Sequence, residues 1–127
     1  MTVEKPWGSY TVFDEGDGWL LKKLIIKPGH QTSLQLHQHR NETWFVVQGY
    51  GAATIVAPLD CGESIAMGSP GLVEEQIQVG SVLQINTHMP HQIENTDNKK
   101  DLVLIEIQLG ICDEEDILRI EDPYNRG

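Results

Sequence analysis

Positive charge is scarce in this chain: nine lysines and arginines stand against nineteen acids, a formal net charge of -10 with histidine neutral. So few cations cannot displace counterions from a phosphate backbone, which excludes nucleic acid as the expected partner. A small anion is still possible, because it needs only a few local cations. Cysteine is also sparse. Cys61 and Cys112 have no CxxC spacing, and 127 residues suffice for one core without disulfide staples. Both are expected as free thiols in a cytoplasmic protein. No apolar run approaches the ~20 residues of a membrane helix, and the opening MTVEKPWGSY lacks the apolar centre of a signal peptide. No membrane partner is expected. Helical patterning is nearly missing, no Gly-rich phosphate loop occurs, and no repeat is apparent.

What remains is a series of short apolar or alternating runs broken by turn residues. Leu20 to Ile26 is closed by Pro28-Gly29, Leu34 to His39 alternates, and Thr43 to Val47 ends at Gly49-Tyr50-Gly51. Ala53 to Ala57, Gln76 to Val79, Val82 to Ile85 and Leu102 to Leu109 follow. Segments of strand length at such close spacing predict an all-β sandwich or barrel, a single domain over residues 1–127. Asp113 to Arg119 opens with acids, which a helix dipole favours in a first turn, and predicts a short C-terminal helical turn. Residues 58–71, rich in Gly, Pro and Ser, read as an inserted loop.

The chemistry concentrates between Gly29 and Gly49. Side chains alternate along a strand, so Ser33, Gln35, His37 and His39 are expected on one face, with Leu34 and Leu36 on the other. A turn at His39 to Asn41 then returns the chain and brings Glu42 opposite that face. His91 comes much later, directly behind Pro90 and just after another strand. Imidazole, amide oxygen and carboxylate converging from three strands suit a divalent first-row metal with open positions.

These spacings resemble the cupin superfamily. Its first motif runs Gly, five residues, His-x-His, three or four residues, Glu, six residues, Gly. Anchored on Gly29 and Gly49, it places Gln35-Leu36-His37 in the His-x-His slots and Glu42 in the acid slot. The pair His37 and His39 does not fit it. The second motif fits from Gly80 through His91 to Asn95, with Asn86 and His88 where the motif has Pro and Gly. The resemblance implies a double-stranded β-helix, the cupin jelly-roll barrel, with Gln35, His37, Glu42 and His91 as metal ligands.

A Gln-x-His arrangement is similar to that of zinc-dependent phosphomannose isomerases. KPWGSY (5–10), SLQLHQHRNETW (33–44), HQIEN (91–95), LIEIQLG (104–110) and EEDILRIEDPYNR (114–126) resemble the C-terminal cupin of type II mannose-6-phosphate isomerases, which is usually fused to a mannose-1-phosphate guanylyltransferase. Thr43, Gln92 and Asn125 depart from that family's usual His, Arg and Gly. The resemblance implies one divalent ion, zinc first, with manganese, cobalt, nickel or iron as alternatives, and a sugar phosphate as substrate. Aldose–ketose interconversion needs a base near neutrality, for which His39 is the candidate, with Arg40 beside it. Arg119, Lys23 and Lys27 are the candidate phosphate-binding cations, with Arg126 also on a matching stretch, and Trp44 is a candidate cavity wall. Guanylyltransferase activity is not carried over. The runs Trp44 to Val47 and Leu104 to Leu109 could join two copies sheet to sheet, so a homodimer is expected. The competing expectation is a cupin that keeps the metal cage and binds a sugar phosphate or nucleotide sugar without turnover.

Overall fold

The alternation in the sequence has a direct physical outcome. A strand with one apolar face must bury it, and here two antiparallel sheets bury their faces against each other. The computed structural model describes residues 1–56, 72–121 and 123–124. The loop expected at 58–71, Cys61, Asn125 and Arg126 lie outside the described residues. The strands are β1 (Thr2–Lys5), β2 (Gly8–Gly16), β3 (Trp19–Ile26), β4 (Leu34–Leu36), β5 (Arg40–Gln48), β6 (Tyr50–Val56), β7 (Leu72–Gln78), β8 (Val82–Ile85), β9 (His91–Glu94), β10 (Leu102–Gly110) and β11 (Leu118–Glu121). One sheet runs β1-β2-β3-β10-β5-β8, the other β11-β4-β9-β6-β7. This is the expected all-β jelly roll.

The large sheet has an inner face of two characters. In β3 the inward side chains are Leu20, Lys22, Leu24 and Ile26; in β10 they are Leu102, Leu104, Glu106 and Gln108; in β5 they are Arg40, Glu42, Trp44 and Val46. Leu24, Leu104 and Val46 sit in one cross-strand row, and with Ile77 and Ile93 of the small sheet they belong to the apolar core. Two rows further along, Lys22, Glu106 and Trp44 face inward, followed by Leu20, Gln108 and Glu42. The fold therefore keeps one end of its interior dry and leaves the other lined with charge.

Two expectations are corrected. No helical turn forms at Asp113–Arg119. Asp116 N donates to Asp113 O at 3.0 Å to close a turn, and the chain leaves it as β11, paired with β4. The acids there serve as tertiary acceptors: the Asp116 carboxylate takes the N–H groups of Gln38 (3.0 Å) and His39 (2.9 Å), and Glu114 takes the Lys22 ammonium (2.9 Å). The strand expected from Leu34 to His39 stops at Leu36, so the alternation ends before His39. Among the described residues no helix is long and apolar enough to cross a membrane.

The motif glycines Gly29, Gly49 and Gly80 have φ of 71, 83 and 94°, where a side chain is strained. His88, in the slot where the motif has glycine, is the non-glycine residue with positive φ among the described residues, at 62°. It carries that conformation into a turn whose N–H donates to His37 O at 2.7 Å. His88→Val, β-branched, should lower stability by about 1–2 kcal/mol, while His88→Gly should not. Denaturant midpoints of the two variants check this; equal loss in both would show that the imidazole matters rather than the backbone.

Candidate metal centre and its cavity

Three antiparallel strands bring the polar cluster together. Glu42 enters from β5, His91 opens β9, and His37 follows the end of β4, in which Gln35 is paired with His91. All three of His37, Glu42 and His91 are buried, with one ligand atom from each lying within 4.8 Å of the others. Glu42 Oε2 lies 3.1 Å from His37 Nε2, and its Oε1 lies 3.6 Å from His91 Nε2. Trp44 closes over the cluster, its ring edge-on to His91 at 5.2 Å and its Nε1 donating to Glu42 Oε1 at 3.1 Å.

The proton inventory determines what this cluster can hold. His37 Nδ1 lies 2.6 Å from Asp116 O and His91 Nδ1 lies 2.8 Å from Met89 O. A carbonyl only accepts, so each ring places its proton on Nδ1 and, when neutral, presents a bare lone pair at Nε2. Both Nε2 lone pairs then face a carboxylate, acceptor against acceptor. His91 Nε2 is buried without any hydrogen-bond partner. Such a set lacks a cation, and neutral imidazoles tethered by Nδ1 are the usual form of histidine ligands. The donor set fits a divalent ion held by His37, Glu42 and His91, and Gln35 lines the same cavity. Arg40 meets part of the cation demand from the side: Nε donates to Glu42 Oε2 (2.9 Å), Nη1 to Asp113 O (2.9 Å) and Nη2 approaches His37 Nε2 (3.2 Å).

The protonation tendencies agree. Burial holds both imidazoles below the ordinary 6.5, against the opposing pull of Glu42. Burial also pushes Glu42 up, yet the imidazoles in their protonated form, with Arg40 and Lys22, outweigh it and hold the carboxyl below 4.5.

Each expected site residue has a definite place. Gln35, His37, Glu42, Arg40, Trp44 and Arg119 line the one cavity, while His91 stands at its metal end. Arg119 pairs across from Gln35, with its Nε buried and unbonded. His39 is exposed and lines a separate depression with Gln38 and Asp113, because β4 ends too early to aim it inward. Lys23 points to the outside of β3, over the Phe13 ring, and Lys27 is exposed. The cation that β3 does turn inward is Lys22. It sits 4.3 Å over the Tyr10 ring, bonded to Glu114 and 3.7 Å from Glu106. Burial would lower its pKa, but Glu106, Glu114 and Glu42 raise it beyond the ordinary 10.5. The reading of motifs missed Lys22 and Glu106. The signal was present in LLKKLII and LVLIEIQLG, where both share parity with buried leucines.

Two facing antiparallel sheets with a buried His/Glu/His cluster at one end define a cupin. The chain belongs to the family described as mannose-6-phosphate isomerase C-terminal, whose model matches residues 1–122. It is 36% identical over 98% of its length to xanthan biosynthesis protein XanB of Xanthomonas campestris pv. campestris. It is 37% identical over 99% to alginate biosynthesis protein AlgA of Pseudomonas putida, and 35% identical over 98% to mannose-1-phosphate guanylyltransferase ManC of Salmonella typhimurium. The chain spans 23% of the length of each of these relatives. Among solved structures, the capsular polysaccharide assembling protein CapF of Staphylococcus aureus superposes with a TM-score of 0.76 at 23% identity, over 95% of this chain and 34% of that one. KdgF from Halomonas sp. does so at 0.71 and 11% identity, over 91% and 90%. At those identities they attest to the fold alone.

Two outcomes follow for the cluster. Glu42→Gln and Gln35→Ala should each weaken zinc binding by more than about 10-fold, the lower bound for disturbing even an outer partner, whereas His39→Ala should leave it unchanged. Calorimetric titration orders the three, and the reverse order would mean that the motif is threaded wrongly. Protons compete with metal only below the folded pKa of the imidazoles. Because that value is held under 6.5, zinc affinity should stay level as pH falls to about 6.5 and decline only below it. A decline that begins well above 6.5 would contradict burial as the dominant influence.

Proposed function

We propose that this chain is a metal-dependent sugar-phosphate isomerase that interconverts mannose 6-phosphate and fructose 6-phosphate, with zinc as the first choice of metal at Gln35, His37, Glu42 and His91. The observation that carries this reading is the pair of imidazole Nε2 atoms turned onto a buried carboxylate, that of His91 without any hydrogen-bond partner, beside a cavity lined by Lys5, Lys22, Arg40 and Arg119. Family membership supplies the substrate class. A divalent ion bound there would polarise a sugar oxygen and stabilise the negative charge that develops as a carbon-bound proton leaves. The chain's own residues supply the rest. Arg119, with a buried and unsatisfied Nε, is suited to a phosphate oxygen, and Lys22 and Lys5 add positive charge to the same cavity. Trp44 fixes Glu42 through its Nε1 and packs its ring edge-on against His91.

The competing reading, a cage without turnover, drew on the departures at Thr43 and Gln92. Both face away from the cavity. Thr43 Oγ1 donates to Gln84 Oε1 at 2.7 Å on the outer side of β5, and Gln92 Nε2 donates to Thr32 O at 2.9 Å. Neither substitution removes a cavity group, which favours the isomerase.

The outer face of the large sheet carries Phe45, Val47, Val82 and Leu109, each at least 36% exposed. This supports the homodimer, since exposing a group of apolar side chains to water is unfavourable and such patches mark interaction sites, and a free-thiol cytoplasmic protein remains the reading for Cys112.

The decisive assay loads the purified protein in turn with zinc, manganese, cobalt, nickel and iron and measures fructose 6-phosphate formed from mannose 6-phosphate. Turnover with at least one metal is expected. Sugar phosphate binding without turnover for any metal would establish the binding-module reading instead. Arg119→Ala should raise KM by roughly 10- to 100-fold, as loss of a charge-assisted contact of about 1.5–3 kcal/mol requires. An unchanged KM would remove Arg119 from phosphate binding.

A further inference from the structure

Moving a hydrogen between C1 and C2 requires a group that can take and return a proton, that faces the cavity, and that is not committed to the metal. The cavity contains few such groups. His37, Glu42 and His91 form the cage. Lys22 is held as a cation, and Arg40 and Arg119 do not deprotonate. Glu114 is bonded to Lys22 and its side chain is 46% exposed. His39 lies outside. Glu106 remains.

We propose that Glu106 is the proton carrier of the isomerisation, a proposal that rests on the isomerase reading of this same site. Its position on β10 makes the case. It lies directly across from Lys22 on β3 and from Trp44 on β5, and so stands diagonally from Glu42, one inward row away. The backbones of diagonal neighbours in a sheet are about 7–8 Å apart, and both carboxyls line the same cavity. The carboxylate is oriented from one side only. Gln108 Nε2 donates to Oε2 at 2.6 Å, and Lys22 Nζ lies 3.7 Å from the same oxygen. Oε1 makes no hydrogen bond with any described residue, and Glu106 lines the cavity. One oxygen is anchored and the other is available.

Burial and then the Glu42 charge raise the Glu106 pKa to about 7, against the opposing influence of Lys22, the Gln108 hydrogen bond and Arg40; a cation held at Glu42 would offset the Glu42 contribution and leave burial. The step balances without any external oxidant or reductant. Glu106 takes the C2 proton of the aldose, the C–H electron pair becomes the C1–C2 double bond, and the carbonyl pair moves to O1. The O2 hydroxyl proton passes to the neighbouring O1, and the O2–H bonding pair closes the C2 carbonyl of the ketose. The C1–C2 double-bond pair then takes the proton back from Glu106 at C1, on the same face. A single carboxyl serves both carbons.

The test compares metal-loaded wild type with Glu106→Gln, which keeps the shape and can still accept from Gln108. Zinc content, thermal unfolding and calorimetric binding of mannose 6-phosphate should match wild type. Turnover, and deuterium incorporation at C1 of the product in heavy water, should both fall by roughly 10²- to 10⁴-fold. Turnover and incorporation within tenfold of wild type would overturn the role of Glu106 and leave the isomerase reading standing. A wild type inert with every metal would overturn that reading and the proposal together. If Glu106→Gln fails to fold, Glu106→Asp decides: it keeps the charge and withdraws it by one methylene. A folded, metal-bound Glu106→Asp with turnover down more than tenfold supports the role, and unaltered turnover overturns it.

Discussion

Two backbone carbonyls, those of Asp116 and Met89, fix the chemistry of this interior. Each accepts the Nδ1 proton of a buried imidazole, and so each decides that the opposite nitrogen is bare. Removing that constraint would free either ring to protonate toward Glu42, closing the cluster as an ordinary ion pair. With the constraint in place, three acceptors are pressed together where water is scarce, which is costly unless a cation joins them. The carbonyls belong to turns rather than strands, one after β8 and one before β11. The orientation of the two imidazoles therefore depends on the loops that lead into β9 and β11.

The barrel tolerates this because its polarity is segregated. Leu24, Ile26, Leu102, Leu104 and Val46 supply an apolar block that stabilises the two sheets without help from the site. Beyond it, the same three strands carry Lys22, Glu106, Gln108, Glu42 and Arg40 at positions of the same parity. Charge is admitted to the interior one row at a time and nearly every group has a partner. Lys22 meets Glu114 and Glu106, Arg40 meets Glu42, and Gln108 meets Glu106. The orphans are few, and His91 Nε2 and Arg119 Nε are the two that face chemistry.

The jelly roll could be read from turn residues and apolar runs because period-two alternation and glycine at positive φ are local properties. The convergence of His37, Glu42 and His91 could be read because motif spacing records which strands return opposite one another. What failed did so for nonlocal reasons. The acids at 113–116 resemble a helix start in isolation, but Lys22 and the amides of Gln38 and His39 recruit them from elsewhere in the chain. His39 has the right parity on paper, but its strand ends three residues earlier. Lys23 was preferred to Lys22 although only Lys22 shares parity with Leu20 and Leu24; the register of β3 against β10 makes the distinction.

The segment from Asp113 to Arg119 has a wider role than its length suggests. It orients His37, anchors Arg40, covers Lys22 and places Arg119 beside Gln35. Every one of these contacts joins residues 73 or more positions apart, or strands from opposite ends of the fold. During synthesis, then, a ribosome delivers nearly the whole barrel before the imidazole at 37 acquires its orienting acceptor. A stretch made before residue 113 can already bury its leucines, but the His37 imidazole has no orienting acceptor until Asp116 follows it.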